Sequence, residues 1–182
     1  NTVSPGFIKT KMTSEYNEET INIIKSETPL EKLGAPDTFE HADLYAKCLS
    51  VMKTQLYSPE EKFDSIWSTP DRLPHKSLWL WDSVFHALGH RRISGDLAES
   101  LIHAIWAHQG DNGYVPHMAN SVLASSITQP PVIAWGSWHV YKTTGNKEFL
   151  KEVFEHNKAF LNWCREYRRE SEKELYTWET TN

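Results

Sequence analysis

A short segment of the chain combines the side chains that bind a sugar ring in proteins. Trp79, Trp81 and Asp82 lie within four consecutive positions, and Gln129 adds an amide group. A pyranose has hydroxyl groups that donate hydrogen bonds and an apolar ring face. An ionised carboxylate accepts such bonds, and an indole covers such a face. Asp82 alone could be a helix cap and Gln129 a cap before prolines, so the set, rather than any one residue, indicates sugar binding.

The sequence places these side chains at the starts of predicted helices. Asp82 lies in the first turn of a helix predicted from about Trp81 to Gly89, where the helix dipole favours the ionised carboxylate. Gln129 precedes Pro130-Pro131, which is predicted to begin another helix. Asp96 is the predicted cap of the helix between them. Apolar periodicity predicts helices over residues 14–26, 38–56, 81–89, 97–106, 130–141 and 147–168.

The connections between these helices alternate in length. Residues 57–79 and 110–128 form long connections, whereas residues 90–95 and 143–146 form short ones. Consecutive antiparallel helices place every second connection at the same end of a domain. The two long connections should therefore share one end, and long structured loops commonly build a site. Loops without a function remain the alternative.

Composition and charge exclude several classes of function. The chain has 182 residues, a net charge of −5 and no basic stripe, which argues against nucleic-acid binding. No apolar run approaches the roughly 20 residues of a membrane span. Eight tryptophans are more than composition predicts, and they suit helix packing or sugar stacking. Cys48 and Cys164 both fall in predicted helices, where buried free thiols are expected.

A metal site is an alternative because several histidines lie close together in the sequence. His86 and His90 are four residues apart on one predicted helix, and His103 and His108 follow. The His-Glu-x-x-His arrangement is absent, so packing or surface roles are expected for these residues. Gly-x-Ser-x-Gly and phosphate-binding glycine motifs are also absent.

Three segments in the same order resemble a known enzyme family. PHKSLWLWDSVFHALGHRRI, DNGYVPHM and SSITQPPVIAWGSWHVYKTTGNKEFL resemble the six-hairpin glycosidases of glycoside hydrolase clan G. Within that clan they are similar to family 63 and the mannosylglycerate hydrolase-like proteins, and more distantly to trehalases. The resemblance covers about residues 58–178 and does not extend to residues 1–40.

The resemblance implies an all-α fold that is the first part of an (α/α)6 toroid. Residues 38–182 would form its first helical hairpins, after an N-terminal arm or linker with one short helix over residues 1–37. The rest of the toroid is expected in the same polypeptide. Carbohydrate would be the substrate, and neither a cofactor nor a metal is expected.

The resemblance also implies a role for particular residues. Trp81, Asp82 and Gln129 would bind the sugar that is released, and Trp79 and His117 would be walls of the pocket. The reaction would be hydrolysis of an α-linked glucoside or mannoside with inversion. The family's general acid lies shortly after the segment similar to 175–179 and its base near the far end of the toroid, so no catalytic residue is expected here.

A non-catalytic module is the alternative function. A helical carbohydrate-binding or protein-interaction module could retain half of a sugar subsite without the catalytic carboxylates. Such a module would bind sugar without turnover. Measurements of binding and of hydrolysis therefore distinguish the two functions.

Overall fold

The structure, a computed structural model, describes residues 42–70, 76–170 and 175–178. The chain divides into two compact units, Asn1–Thr54 and Gln55–Asn182. The helix predicted over residues 14–26 and the arm predicted over 1–37 lie outside the described residues, and the predicted domain boundary there stays a prediction. The described part of the first unit is helix α1, Ala42–Thr54.

Within its described residues, the second unit contains four helices and three pairs of very short strands. Its elements in chain order are β1 (Leu56–Tyr57), β2 (Trp67–Ser68), β3 (Leu78–Trp79), α2 (Leu80–His90), α3 (Gly95–Trp106), β4 (Met118–Ala119), α4 (Ile133–Thr144), α5 (Lys147–Tyr167), β5 (Arg169–Glu170) and β6 (Leu175–Tyr176). The strands pair antiparallel as β1–β2, β3–β4 and β5–β6. The helix-rich architecture confirms the all-α prediction.

Two predicted helix starts differ from the structure. Ser94, not Asp96, caps α3: its backbone is extended, and its hydroxyl oxygen accepts a hydrogen bond from the Leu97 amide at 3.2 Å. Helix α4 begins at Ile133 rather than at Pro130. A residue that precedes proline is disfavoured in the helical region, so Pro130 cannot easily begin a helix before Pro131.

The short connections gather at one end of the helices, as their alternation in length predicts. The Asn146 amide, just after α4, donates a hydrogen bond to Glu99 on α3 at 2.8 Å. The Arg91 guanidinium, just after α2, donates to the His139 carbonyl on α4 at 2.8 Å. Gly145 ends α4 with a left-handed φ of 68°, as a glycine in that turn should. The opposite end is left to the long connections.

The helices pack around one apolar core. Helix α2 packs against α3 and α4, while α5 packs against α3 and α4. The largest fully buried apolar side chains are Trp67, Phe63, Phe160, Leu80, Leu101, Ile102, Ile105, Ile133, Val84, Val115, Val140 and Val153. None of the described helices is long and apolar enough to cross a membrane.

The contact between α2 and α4 depends on a glycine. A Cβ atom added to Gly136 would lie 2.3 Å from a methyl carbon of buried Val84. We expect Gly136→Ala to lower the free energy of unfolding by about 1–3 kcal/mol, because the methyl group overpacks this contact. Chemical denaturation measures the loss. The double variant Gly136→Ala/Val84→Ala should lose less than the sum of its two single variants; additive losses would contradict the proposed clash.

The two cysteines differ in burial. Both are free thiols, as predicted, but only Cys164 is buried, so the prediction that Cys48 is buried was wrong. Cys48 is exposed on α1. The apolar periodicity of this helix did not show which of its residues are buried. Burial raises the pKa of Cys164 to about 11, so this thiol stays protonated and unreactive at neutral pH.

Candidate functional site

The two long connections meet at the start of α2. Trp79 in β3 pairs with Met118 in β4, and Leu78 pairs with Ala119. One residue further on, the Leu80 amide donates a hydrogen bond to the His117 carbonyl at 2.9 Å. These backbone bonds place the Trp79–Asp82 segment beside His117.

Gln129 joins the same end of the helix through its side chain. Its Oε1 accepts a hydrogen bond from the Trp81 backbone amide at 3.1 Å. The first amides of a helix have no partner within the helix, so a side-chain oxygen is a suitable acceptor for one of them. The NH2 group of the same side chain has no hydrogen-bond partner among the described residues, so it is available as a donor. The structure thus brings Trp79, Trp81, Asp82, His117 and Gln129 together.

The carboxylate of Asp82 is half-buried at this point. Burial is the largest effect on its pKa and raises it above the ordinary value, while hydrogen bonds from its own backbone amide and from the Trp81 side chain oppose the rise. The helix dipole alone would lower the pKa of Asp82. The pKa is raised instead, because desolvation of the carboxylate outweighs the hydrogen bonds that stabilise its ionised form. A partly desolvated carboxylate with a raised pKa is a candidate for binding a ligand.

The two tryptophans of the site have different surroundings. Trp79 is half-buried and contacts His117 edge to face, with ring centroids 5.1 Å apart and planes at 75°. Trp81 has 42% of its surface exposed. Trp81 is therefore the more exposed of the two tryptophans.

Tyr114 and Ser125 belong to the site, although the sequence patterns did not identify them. Ser125 Oγ lies 2.6 Å from His117 Nδ1. The Tyr114 hydroxyl lies 2.7 Å from the Ser125 carbonyl and 2.8 Å from the Ile127 carbonyl, and donates to one or the other. Burial raises the pKa of Tyr114, which keeps the phenol protonated as a donor. These contacts depend on how the loop folds back on itself, which no local pattern reveals.

The histidines of the alternative metal site lie in separate surroundings. His86 Nδ1 is 2.8 Å from Ser68 Oγ, His90 is buried, and His108 packs against Phe63 with ring centroids 5.2 Å apart. His103 Nδ1 lies 3.3 Å from a carboxylate oxygen of Glu152. In the part of the chain that the structure describes, no group of three or more His, Cys, Asp or Glu side chains could hold a metal ion.

Comparisons with known proteins identify a matching domain family and a similar solved structure. A model of the mannosylglycerate hydrolase MGH1-like glycoside hydrolase domain matches residues 74–181. Among solved structures, the chain is similar to the GH63 mannosylglycerate hydrolase from Thermus thermophilus in complex with glucose. The identity is 23% and the TM-score 0.58 over 69% of this chain. A search of curated proteins finds no match to this chain.

The matched region shows both the family and the extent of the fold. The chain spans 36% of the length of the Thermus enzyme, so it corresponds to part of the six-hairpin (α/α)6 fold. The family match covers more than half of the 182 residues and includes every residue of the candidate site. The chain belongs to the family of mannosylglycerate hydrolase MGH1-like glycoside hydrolase domains.

Proposed function

We propose that this chain binds the sugar that an inverting glycoside hydrolase releases from an α-linked glucoside or mannoside. The observation that carries the proposal is the convergence of Trp81, Asp82 and Gln129 at the start of α2. Trp81 and Asp82 follow one long connection and Gln129 follows the other, and the hydrogen bond from the Trp81 amide to Gln129 joins them at one point.

Each group of the site suits a different part of a pyranose. The Asp82 carboxylate accepts hydrogen bonds from hydroxyl groups, and such charge-assisted bonds are the strong ones. The Gln129 amide, with its oxygen on the Trp81 backbone, donates to a hydroxyl oxygen. The exposed Trp81 indole packs against the apolar ring face. Together they provide an acceptor, a donor and an apolar surface.

The similar enzyme supports a sugar as the ligand. That enzyme is a mannosylglycerate hydrolase, and its structure contains glucose. A hexose has vicinal hydroxyls that can bind Asp82 and Gln129, and an apolar ring face that can pack against Trp81. The choice between glucoside and mannoside depends on contacts to the hydroxyl whose orientation distinguishes the two sugars.

The bond-breaking groups are proposed to lie outside this chain. An inverting glycosidase uses a general acid and a general base roughly 6.5–9.5 Å apart, with a water molecule between the base and the sugar. Asp82 is assigned to sugar binding and to neither of these roles. The acid and the base are therefore expected from the remaining hairpins of the toroid.

Hydrolysis of a small substrate panel tests the proposed function. The panel consists of mannosylglycerate, glucosylglycerate, trehalose, kojibiose and nigerose, each tested with this chain and with a longer polypeptide that includes the remaining hairpins. We expect turnover only by the longer polypeptide, with inverted anomeric configuration in the product. Sugar binding without turnover by either polypeptide would favour the non-catalytic module, and turnover by this chain alone would contradict the assignment of Asp82.

A further inference from the structure

A compact hydrogen-bond network lies at the Nδ1 edge of the His117 ring. His117 Nδ1 lies 2.6 Å from Ser125 Oγ and 3.3 Å from the Ile127 carbonyl oxygen. Ser125 Oγ lies 3.0 Å from the same carbonyl, which also accepts the His117 backbone amide at 2.8 Å. Three polar atoms, Nδ1, Oγ and the carbonyl oxygen, are therefore in mutual contact.

The chemistry of these atoms determines where the protons lie. A carbonyl oxygen only accepts, whereas a serine hydroxyl has one proton to donate. If Ser125 donates to Ile127, its oxygen is left to accept from His117, and Nδ1 must carry a proton. In the opposite arrangement Ser125 would donate to Nδ1, and its oxygen would then face the Ile127 carbonyl oxygen at 3.0 Å without a proton between them. The first arrangement avoids this contact between two acceptor oxygens.

Protonation at Nδ1 leaves Nε2 as the acceptor nitrogen of the neutral ring. Within the described residues Nε2 has no hydrogen-bond partner, and it is not among the buried unsatisfied atoms. The ring also contacts Trp79, whose neighbours Trp81 and Asp82 form the sugar site. An acceptor nitrogen that is not buried therefore belongs to a ring in contact with Trp79, beside the candidate sugar site.

We propose that Ser125 is a positioning residue that holds His117 with its proton on Nδ1, so that Nε2 accepts a hydrogen bond from a hydroxyl group of the sugar. The proposal rests on the proposed function, because it needs a sugar beside Asp82. It adds a second acceptor to the pocket, next to the Asp82 carboxylate. Asp82 and His117 then bind hydroxyl hydrogens, while the Gln129 amide binds a hydroxyl oxygen.

Nitrogen-15 NMR of the histidine side chains tests the tautomer in the full chain. Long-range ¹H–¹⁵N correlation spectra distinguish a protonated ring nitrogen from an unprotonated one. We expect His117 Nε2 to have the shift of an unprotonated nitrogen at a pH where the ring is neutral. Ser125→Ala should move that shift towards the protonated value, whereas Ser125→Thr and the exposed neighbour variant Ser126→Ala should leave it unchanged. A proton on Nε2 in the unaltered chain would overturn the proposal.

Binding of D-glucose and its monodeoxy derivatives tests the contact with sugar. Ser125→Ala should weaken glucose binding about three- to tenfold, the loss expected for one hydrogen bond. The deoxy derivative that lacks the hydroxyl bound by His117 should bind the unaltered chain less tightly than glucose does. The His117→Phe variant should bind this derivative and glucose equally tightly. Glucose could change the NMR signals of Trp81 while no deoxy derivative has an affinity that depends on His117. In that case the positioning role fails and the proposed function stands. If glucose perturbs neither Trp81 nor His117, the proposed function fails as well.

Discussion

Replacing Asp82 with asparagine should reduce kcat/KM of the longer polypeptide about 100-fold or more while this chain remains folded. Asparagine has nearly the same shape but lacks the charge, and each charge-assisted hydrogen bond is worth roughly 1.5–3 kcal/mol. Two sugar hydroxyls that bind the carboxylate account for a loss of this size. Steady-state hydrolysis of the substrate that the panel identifies measures it. Near-normal turnover in the variant would contradict the assignment of Asp82.

The stability of the same variant separates a binding carboxylate from a structural one. Burial raises the pKa of Asp82, so the folded chain binds this proton more tightly than the unfolded chain does. The ionised carboxylate therefore lowers stability at neutral pH. This cost decreases as the pH falls through the raised pKa of the folded state, and it is gone below the pKa of the unfolded state. Asp82→Asn should consequently unfold at the same or a higher temperature than the unaltered chain at neutral pH.

A matched control exists on the neighbouring helix. Asp96 also lies in the first turn of a helix, but its side chain is exposed and it is not the cap of α3. Asp96→Asn should leave sugar binding unchanged and alter stability by less than about 1 kcal/mol, through the helix dipole alone. Thermal unfolding of both variants at neutral and acidic pH gives the comparison. A clear loss of stability at neutral pH in Asp82→Asn would identify Asp82 as a structural residue.

Replacing Gly113 with alanine should lower the free energy of unfolding by about 3 kcal/mol, from backbone strain of about 1–2 kcal/mol plus overpacking. Gly113 has a φ of 90°, which side chains disfavour, and an added Cβ would lie 2.4 Å from the Ala159 carbonyl oxygen on α5. The connection would have to move away from α5, and His117 lies four residues further along it. Chemical denaturation measures the loss, and sugar binding should weaken with it.

Gly145 provides the control for backbone strain alone. It also has a positive φ, 68°, but an added Cβ would meet nothing within 4 Å. Gly145→Ala should therefore cost only about 1 kcal/mol, without effect on sugar binding. Equal losses in the two variants would mean that the close approach of Gly113 to α5 contributes nothing.

The sequence predicted the helices well because their apolar periodicity reflects the core directly. Helices near 81–89 and 147–168 are found as α2 and α5 with small differences at their ends. The errors in the predicted helix starts arise where neighbouring residues could each begin the helix. Ser94 and Asp96 are both good capping residues, and only the backbone conformation shows that Ser94 is used.

The candidate site could be predicted in its composition but not in its hydrogen bonding. The motifs indicated Trp81, Asp82 and Gln129, and the alternation of loop lengths indicated that they share one end of the helices. The bond from the Trp81 amide to Gln129 spans 48 positions in the sequence, and the contact of Ser125 with His117 depends on a fold within the loop. Such contacts follow from tertiary structure, so no local pattern reveals them.

The close approach of Gly136 to Val84 has a consequence for the thermodynamics of binding. It holds α2 and α4 together about one turn from the residues where each helix begins. Asp82 lies at the start of α2, and Gln129 is joined to α4 through two prolines of restricted backbone. The groups that would bind a sugar are thus held in place before the ligand arrives. Binding should cost little conformational entropy, since preorganised groups have little freedom left to lose.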